Sequence, residues 1–198
     1  DRIILNSDSD IFKEIANRYD VEFYKRPFHL GGNKTKSDDV VYDFLKHNST
    51  EIVVWVNPIS PLQTAKQIKE IVHYFNENKL DSLITVKDEQ VHCIYKNEAV
   101  NYKLNGKFAQ TQELTPVKPF VYSIMMWRTD PFLFAMREKG SAFFTGNIGY
   151  YTVDKYSSMI VKTAEDLIFA ENILRTRSEK TKTIKYDDII EKVENTHE

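Results

Sequence analysis

The chain has 198 residues, enough for one domain with a small elaboration, and its 41% hydrophobic and 28% charged residues with six glycines and six prolines exclude a disordered, collagen-like or disulfide-scaffold protein. Its 27 basic and 29 acidic residues leave a net charge of −2, so there is no bulk electrostatic case for a nucleic-acid partner. One cysteine, Cys93, excludes an internal disulfide and suits a reducing cytoplasm; no apolar run reaches membrane-spanning length or forms a secretory leader, so a cytoplasmic protein is expected.

RIILNS (2–7) reads as a buried strand, with Ser7 or Asp8 placed to cap a helix in which Ile11, Phe12, Ile15 and Ala16 keep helical spacing. VEFYK (21–25) alternates like a strand, and the loop RPFHLGGNKTKS follows, with Ser37 as the expected cap of DDVVYDFLKH. Ile52, Val53, Val54, Trp55 and Val56 form the continuous apolar run of a strand covered on both faces. Pro58 and Pro61 cannot donate to a ladder, so that strand ends near Asn57. Thr64 and Gln67 then have capping-box spacing ahead of a helix carrying Ile68, Ile71, Val72 and Phe75. DSLITVK (81–87) is a further strand. Strand–helix repeats with short loops predict an α/β domain with a doubly wound, mostly parallel sheet.

The rhythm changes near Val91, where QVHCIYKNEAVNYKLNGKFAQ has short alternating strands with turn signals at Lys96-Asn97 and Asn105-Gly106. Such a small antiparallel insertion must cover its edges, and pairing with a second subunit is one way. PFVYSIMMW (119–127) returns to a buried strand, and DPFLFAMREKG is a helix with Pro131 in its first turn and Gly140 at its end. NIGYYTVD is another strand, and Thr163 with Asp166 opens the helix TAEDLIFAENILRTR. The expected organisation is 1–90 as the first part of the α/β domain, 91–128 as the insertion, 129–177 as the rest of the α/β domain, and 178–198 as a polar tail with a short amphipathic helix near Ile189 and Ile190.

The stiff loop after residue 56 carries Asn57, Ser60 and Gln63 where ligands sit in open α/β sheets, at the carboxyl end of a strand. Loop polarity that satisfies the backbone after a strand stop is the plainer explanation of the same residues. Lys25, Arg26, Lys34 and Lys36 flank Gly31-Gly32 as a phosphate-facing patch or as a solvated charge cluster. Asp8 and Ser37 are adequate helix caps without any ligand. The five histidines lack metal-ligand spacing, and His92 and Cys93, adjacent on a presumed strand, point to opposite faces.

NPISPLQT (57–64) resembles the Gln-Pro-Thr-Ser-Pro-Leu-Arg segment of the acylneuraminate cytidylyltransferases, the CMP-sialic acid synthetases. Other pieces are similar to that family in the same order: IILNSDSDIFKEIANRYDVEFYKRP, KSDDVVYDFL, QELTPV with VYSIMMW where the family has an Asn-Gly-Ala strand, and IGYYTVDKYSSMIVKTAEDLIFAENIL. The resemblance implies a nucleotidyltransferase fold, a homodimer built through the insertion, and a reaction in which the anomeric oxygen of a 2-keto-3-deoxy sugar acid attacks the α-phosphorus of CTP, with pyrophosphate release and Mg²⁺ as cofactor, for surface-glycan synthesis. It makes 1–90 the nucleotide-binding part, lacking the first strand, and implies a nucleotide site of Asp8, Arg26, Ser37, Asn57, Ser60 and Gln63, with Ser37 near the cytosine. Such chemistry needs positioning and neutralised phosphate charge more than a covalent nucleophile.

The chain also departs from that pattern. Gln63 stands for an arginine, and Ile160 and Lys162 stand on the two positions of the family's Asp-x-Asp metal loop, so no metal ligand is expected there. The family's first strand and triphosphate-gripping loop precede the point where this sequence starts, which implies either a longer polypeptide or a chain that is not a working synthetase. The alternative is therefore a non-catalytic homologue, a nucleotide-sugar-binding or assembly subunit. A transferase using another nucleotide is a third reading.

Overall fold

The computed structural model describes residues 2–178 and shows an α/β architecture in which helices cover both faces of a central four-stranded sheet. The predicted amphipathic tail helix near Ile189 lies outside the described residues. In chain order the elements are β1 (Ile4–Ser7), α1 (Ile11–Arg18), β2 (Glu22–Lys25), α2 (Ser37–His47), β3 (Ile52–Val56), α3 (Ala65–Glu77), β4 (Ser82–Val86), β5 (Ile94–Tyr95), β6 (Glu98–Ala99), β7 (Phe120–Arg128), α4 (Thr129–Lys139), β8 (Ile148–Thr152) and α5 (Ala164–Ser178).

The central sheet has the order β3-β7-β4-β8. β4 and β8 pair in parallel, while β7 runs antiparallel to both β3 and β4, so three strands share one direction and β7 opposes them. β7 alternates between two cores, as a strand with both faces covered must. Ile124 and Met126 join Ile71, Phe75, Leu80 and Leu83 beneath α3, whereas Met125 and Trp127 join Val41, Leu45 and Phe132 beneath α2 and α4. Trp127 is fully buried and its indole N–H donates to the Phe143 carbonyl at 3.0 Å, so its ring is packed without stranding a polar atom. Burial of each such ring contributes roughly 2–3 kcal/mol.

β1 and β2 form a separate parallel pair, and α2 is the element that packs on both sheets. Tyr24 of β2 meets Phe44 edge-on and donates to Asp43 at 2.7 Å, while Val41 and Leu45 of the same helix enter the core beneath the central sheet. Burial and the Asp43 carboxylate push the Tyr24 phenol up to about 12. β3 differs from its predicted environment. Among the described strands it pairs only with β7, and its residues are half-buried, with Val56 exposed, because it is the edge strand of its sheet.

The caps divide in the same way between local and distant causes. Thr64 accepts from the Gln67 N–H at 3.2 Å, and Asp166 Oδ2 accepts from the Lys162 and Thr163 N–H groups at 2.9 Å each, as their spacings predict. Gly140 ends α4 at φ +67, a left-handed conformation that glycine adopts without strain. The expected caps at α1 and α2 are not observed. Ser7 Oγ accepts from Ser9 N–H and Asp8 is paired with Arg26, leaving Asp10 at the cap; Lys36 is the cap residue of α2 and Ser37 is its first helical residue.

Between β4 and β7 the chain leaves the sheet. β5 and β6 form a hairpin whose turn residues, Lys96 and Asn97, both have positive φ, the geometry of a two-residue primed turn. Asn101 holds this segment together, accepting from Cys93 N–H at 3.0 Å and donating to the carbonyls of Val91 and Thr115. His92 stacks on Phe108 at 4.1 Å between ring centres, and an isolated bridge between Glu89 and Val117 closes the base. The expected turn at Asn105-Gly106 lies in irregular chain, without flanking strands.

Candidate functional site

The carboxyl ends of β3, β4 and β8 lie on one side of the central sheet, and the loop Asn57–Gln63 leaves it there. Asn57 is fixed by its backbone, donating to the Ser123 carbonyl at 2.9 Å, and its side-chain oxygen accepts from the Ile59 N–H at 3.4 Å. The Ser60 N–H closes a turn on the Asn57 carbonyl at 3.0 Å. Leu62 is buried, which anchors the loop and turns the polar residues on either side of it together. Ser60 is only 4% exposed, yet its hydroxyl has no hydrogen-bond partner, and the buried Gln63 Oε1 has none either. Buried polar atoms of this kind are costly unless something else satisfies them.

A second loop meets the first. The Val161 N–H donates to the Ile59 carbonyl at 2.8 Å, so the 160–162 strip lies beside the Asn57–Gln63 loop. Gln63 also donates to Gln67, and Gln67 donates to Asp154 at 3.4 Å, a chain of side chains joining the head of α3 to the end of β8. Asp154, Gln67 and Ser157, whose buried hydroxyl is also unpartnered, are residues that sequence reasoning did not place at this site. Their spacing carries no motif, and nothing in the sequence places them near this loop.

β7 supplies a further unpredicted feature. Tyr122 has φ +58 beside a register shift between β4 and β7, a conformation that costs a non-glycine residue and that clusters at functional sites. The bulge is supported from below. Thr85 Oγ1 accepts from the Ile124 N–H, donates to the Ile124 carbonyl and lies 3.0 Å from Ser123 Oγ, each contact buried. The ring of Tyr122 is exposed and meets Phe120 edge-on.

Asp8 and Arg26 form a second group at the ends of β1 and β2. Arg26 donates to Asp8 at 3.2 Å, and the Arg26 Nε is buried without a partner. Gly31 is packed so close to the Asp8 carboxylate that a Cβ there would overlap it. Lys25 of the predicted basic patch is paired with Asp10 at 2.7 Å. Ser37 opens α2 next to Asp38, which accepts from the Ala142 and Phe143 N–H groups at 2.6 and 2.8 Å and ties the helix start to the loop after α4. The structure thus brings Asn57, Ser60 and Gln63 together, and pairs Asp8 with Arg26. No hydrogen bond among the described residues joins these two groups.

The residues around the 160–162 strip do not fit a magnesium ion. Ile160 packs against the core beneath α3, and Lys162 is a cation. Asp154 spends one oxygen on the N–H groups of Tyr156 and Ser157, both at 2.8 Å, and the other on Gln67. Asp166 is held by the backbone N–H groups of Lys162 and Thr163, which lower its carboxyl below the usual aspartate range. Among the described residues, no group of three or more His, Cys, Asp or Glu side chains is placed to hold a metal. No helix among them is long and apolar enough to cross a membrane.

No protein-family profile matches the chain. The chain is 25% identical over 173 residues to the N-acylneuraminate cytidylyltransferase of Streptococcus agalactiae serotype III (strain NEM316), a match covering 84% of this chain and 41% of the relative, and equally to that of serotype Ia. It therefore spans about two fifths of the length of the curated relatives it matches. Among solved structures it resembles a CMP:2-keto-3-deoxy-manno-octonic acid synthetase complexed with CTP, at TM-score 0.64 and 8% identity over 89% of this chain and 82% of that one. It also resembles the 4-diphosphocytidyl-2C-methyl-D-erythritol synthase of Anaerococcus prevotii DSM 20548, at TM-score 0.61 and 18% identity over 88% and 79%. The relatives are weak in sequence, but the structural matches run through most of both chains. The chain shares the mixed α/β fold of these two solved structures.

Proposed function

We propose that the chain is a cytidylyltransferase-like protein that joins CMP from CTP to a 2-keto-3-deoxy sugar acid of the sialic acid type, releasing pyrophosphate. The observation that carries this reading is the loop at the end of β3, where Ser60 Oγ and Gln63 Oε1 are buried without partners. A ligand presenting hydroxyl, amide or phosphate groups would satisfy both, at the position where open α/β sheets bind nucleotides. The names of the relatives in sequence and in fold support the nucleotide class. In the reaction the sugar's anomeric oxygen bonds to the α-phosphorus as the bond to the β-phosphate oxygen breaks, so the chain's task is to hold and orient the phosphates.

The reading assigns Asn57, Ser60 and Gln63 to the nucleotide, with Asp8, Arg26 and Ser37 approaching from β1, β2 and α2. A homodimer is part of the same proposal: Val91, Ile94, Tyr95, Val100, Leu104 and Phe108 are exposed on the segment around the β5–β6 hairpin, an apolar surface suited to a second copy. The test is release of pyrophosphate from CTP with a nonulosonic or octulosonic acid, alongside calorimetric titration of CTP into the full chain and its Asn57→Ala variant. Turnover that falls in the variant supports the proposal. Absence of both binding and turnover refutes it.

A second reading, a non-catalytic nucleotide-sugar-binding or assembly subunit, is favoured by Gln63, Ile160 and Lys162, which remove charge or carboxylates from the expected positions. It predicts CTP or CMP-sugar binding without pyrophosphate release.

A further inference from the structure

We infer that the 160–162 strip carries a fixed positive charge in place of a bound divalent cation: Lys162 meets the phosphates of the nucleotide, and binding at this site is independent of Mg²⁺. The inference rests on the nucleotide reading and deepens it.

Four observations converge. The Val161 N–H bond to the Ile59 carbonyl, 2.8 Å, places Lys162 one residue from a direct backbone contact with the candidate loop. Ile160 packs into the core beneath α3, so the position that the resemblance gives to a carboxylate is filled by hydrocarbon and cannot turn outward without opening a cavity. The carboxylates nearby are already engaged: Asp154 by two backbone N–H groups and Gln67, and Asp166 by two backbone N–H groups. Finally, Ser60, one residue after the anchoring carbonyl, is buried with an unpartnered hydroxyl.

The electrostatics point the same way. Lys162 precedes α5, whose amino-terminal end is already electropositive, so a cation there is unfavourable for the helix. Asp166 offsets part of that cost through its own attraction to Lys162. A polyanion reaching the loop would remove the rest, because the ammonium, the helix start and the Ser60 hydroxyl would all face negative oxygen atoms. A lysine is a compact point charge with three donors, which suits a phosphate whose orientation is set by other groups.

The test is calorimetric titration of CTP, and separately of inorganic tripolyphosphate, into the full chain in excess EDTA and in excess Mg²⁺. Lys162→Met and Lys162→Arg are measured in parallel, with Mn²⁺ paramagnetic resonance of the protein–CTP mixture. Lys162 is exposed, so neither substitution threatens the fold. The expected result is CTP affinity within about threefold in the two media, a loss of about tenfold in Lys162→Met, and near-normal affinity in Lys162→Arg. The Mn²⁺ spectrum should match that of Mn²⁺–CTP alone. Binding of CTP that appears only with Mg²⁺, or a protein-bound Mn²⁺ signal, overturns the inference and leaves the nucleotide reading standing. Tripolyphosphate bound in EDTA in a Lys162-dependent way, with no preference for CTP, sustains the inference and sinks the cytidine reading. No binding of either probe overturns both.

Discussion

Replacing Thr85 by valine exchanges a hydroxyl for a methyl group of nearly the same size, and the structure says what that exchange must cost. Thr85 is fully buried, and its Oγ1 is the acceptor for the Ile124 N–H at 3.0 Å as well as a donor to the Ile124 carbonyl. In Thr85→Val the Ile124 N–H is left facing hydrocarbon, and the buried Ser123 hydroxyl loses a neighbour at 3.0 Å. Stranding the Ile124 N–H costs about 1–3 kcal/mol and the hydrogen bond lost by the Ser123 hydroxyl about 1 kcal/mol, so the loss is about 2–4 kcal/mol before any compensation. Greater apolar burial returns about 0.8 kcal/mol for the added methyl. The net expectation is a destabilisation of about 1.5–3 kcal/mol, or a Tm lower by roughly 3–12 °C for a chain of this size. Urea denaturation measures it directly, with Thr85→Ser as the control: serine keeps the hydroxyl and loses only a methyl, about 1 kcal/mol. Because the Ser123 backbone carbonyl accepts the Asn57 N–H, a shift of this bulge reaches the candidate loop, and the valine variant should bind CTP more weakly where the serine variant does not. A valine variant as stable as the parent, or serine and valine variants equally destabilised, would refute the claim that this hydroxyl holds the bulge.

Three further outcomes follow from the same geometry. Gly31→Ala places a methyl into the Asp8 carboxylate, so the Asp8–Arg26 pair must separate; thermal melting should show a loss of about 1–3 kcal/mol that Gly32→Ala, in ordinary contact distance of its neighbours, does not share. Thr64→Ala removes the acceptor for the Gln67 N–H at the start of α3 and should cost about 1 kcal/mol in denaturant unfolding, with Thr64→Ser close to neutral. Asp166 has its carboxyl lowered by the backbone N–H groups of Lys162 and Thr163, so its contribution is present above the ordinary aspartate range and is lost as pH falls through the depressed value. Compared over acid pH, Asp166→Asn should therefore be the less stable protein near neutrality and converge with the parent at the acid end; curves that stay parallel would contradict this.

Those caps and turns are the part of the molecule that was legible in the sequence, because each is settled within a few residues. Thr64 with Gln67, Thr163 with Asp166, Gly140 after α4 and the Lys96-Asn97 turn carry their geometry locally, and the strand–helix rhythm indicates the α/β class. What escaped is what neighbours decide. Nothing in FVYSIMMWR states whether β7 runs with or against β3 and β4, since a strand buried on both faces reads the same in either direction. The apolar run from Ile52 to Val56 likewise does not distinguish an interior strand from the half-buried edge that β3 forms in the central sheet. Asp8 is a good cap by composition, but a guanidinium 18 residues away claims its carboxylate.

The same division runs through the candidate site, and it explains why the sequence indicates the loop and not the side chains that meet it. Asn57, Ser60 and Gln63 sit on a stretch whose prolines announce a strand stop, so the location follows from sequence. Gln67 and Asp154 are 87 residues apart, and the link between them exists only once β8 has been laid beside β4. Tyr122 reads as an ordinary strand residue until the register shift forces its φ positive. Ile160 and Lys162 invert this pattern: the sequence carries no carboxylate at either position, and the fold puts hydrocarbon against the core at one and a cation at the other. Lys162 stands just ahead of the electropositive start of α5, where a cation is unfavourable unless something anionic offsets it. That charge is the reason to measure phosphate binding without metal before taking the absence of carboxylates there as absence of function.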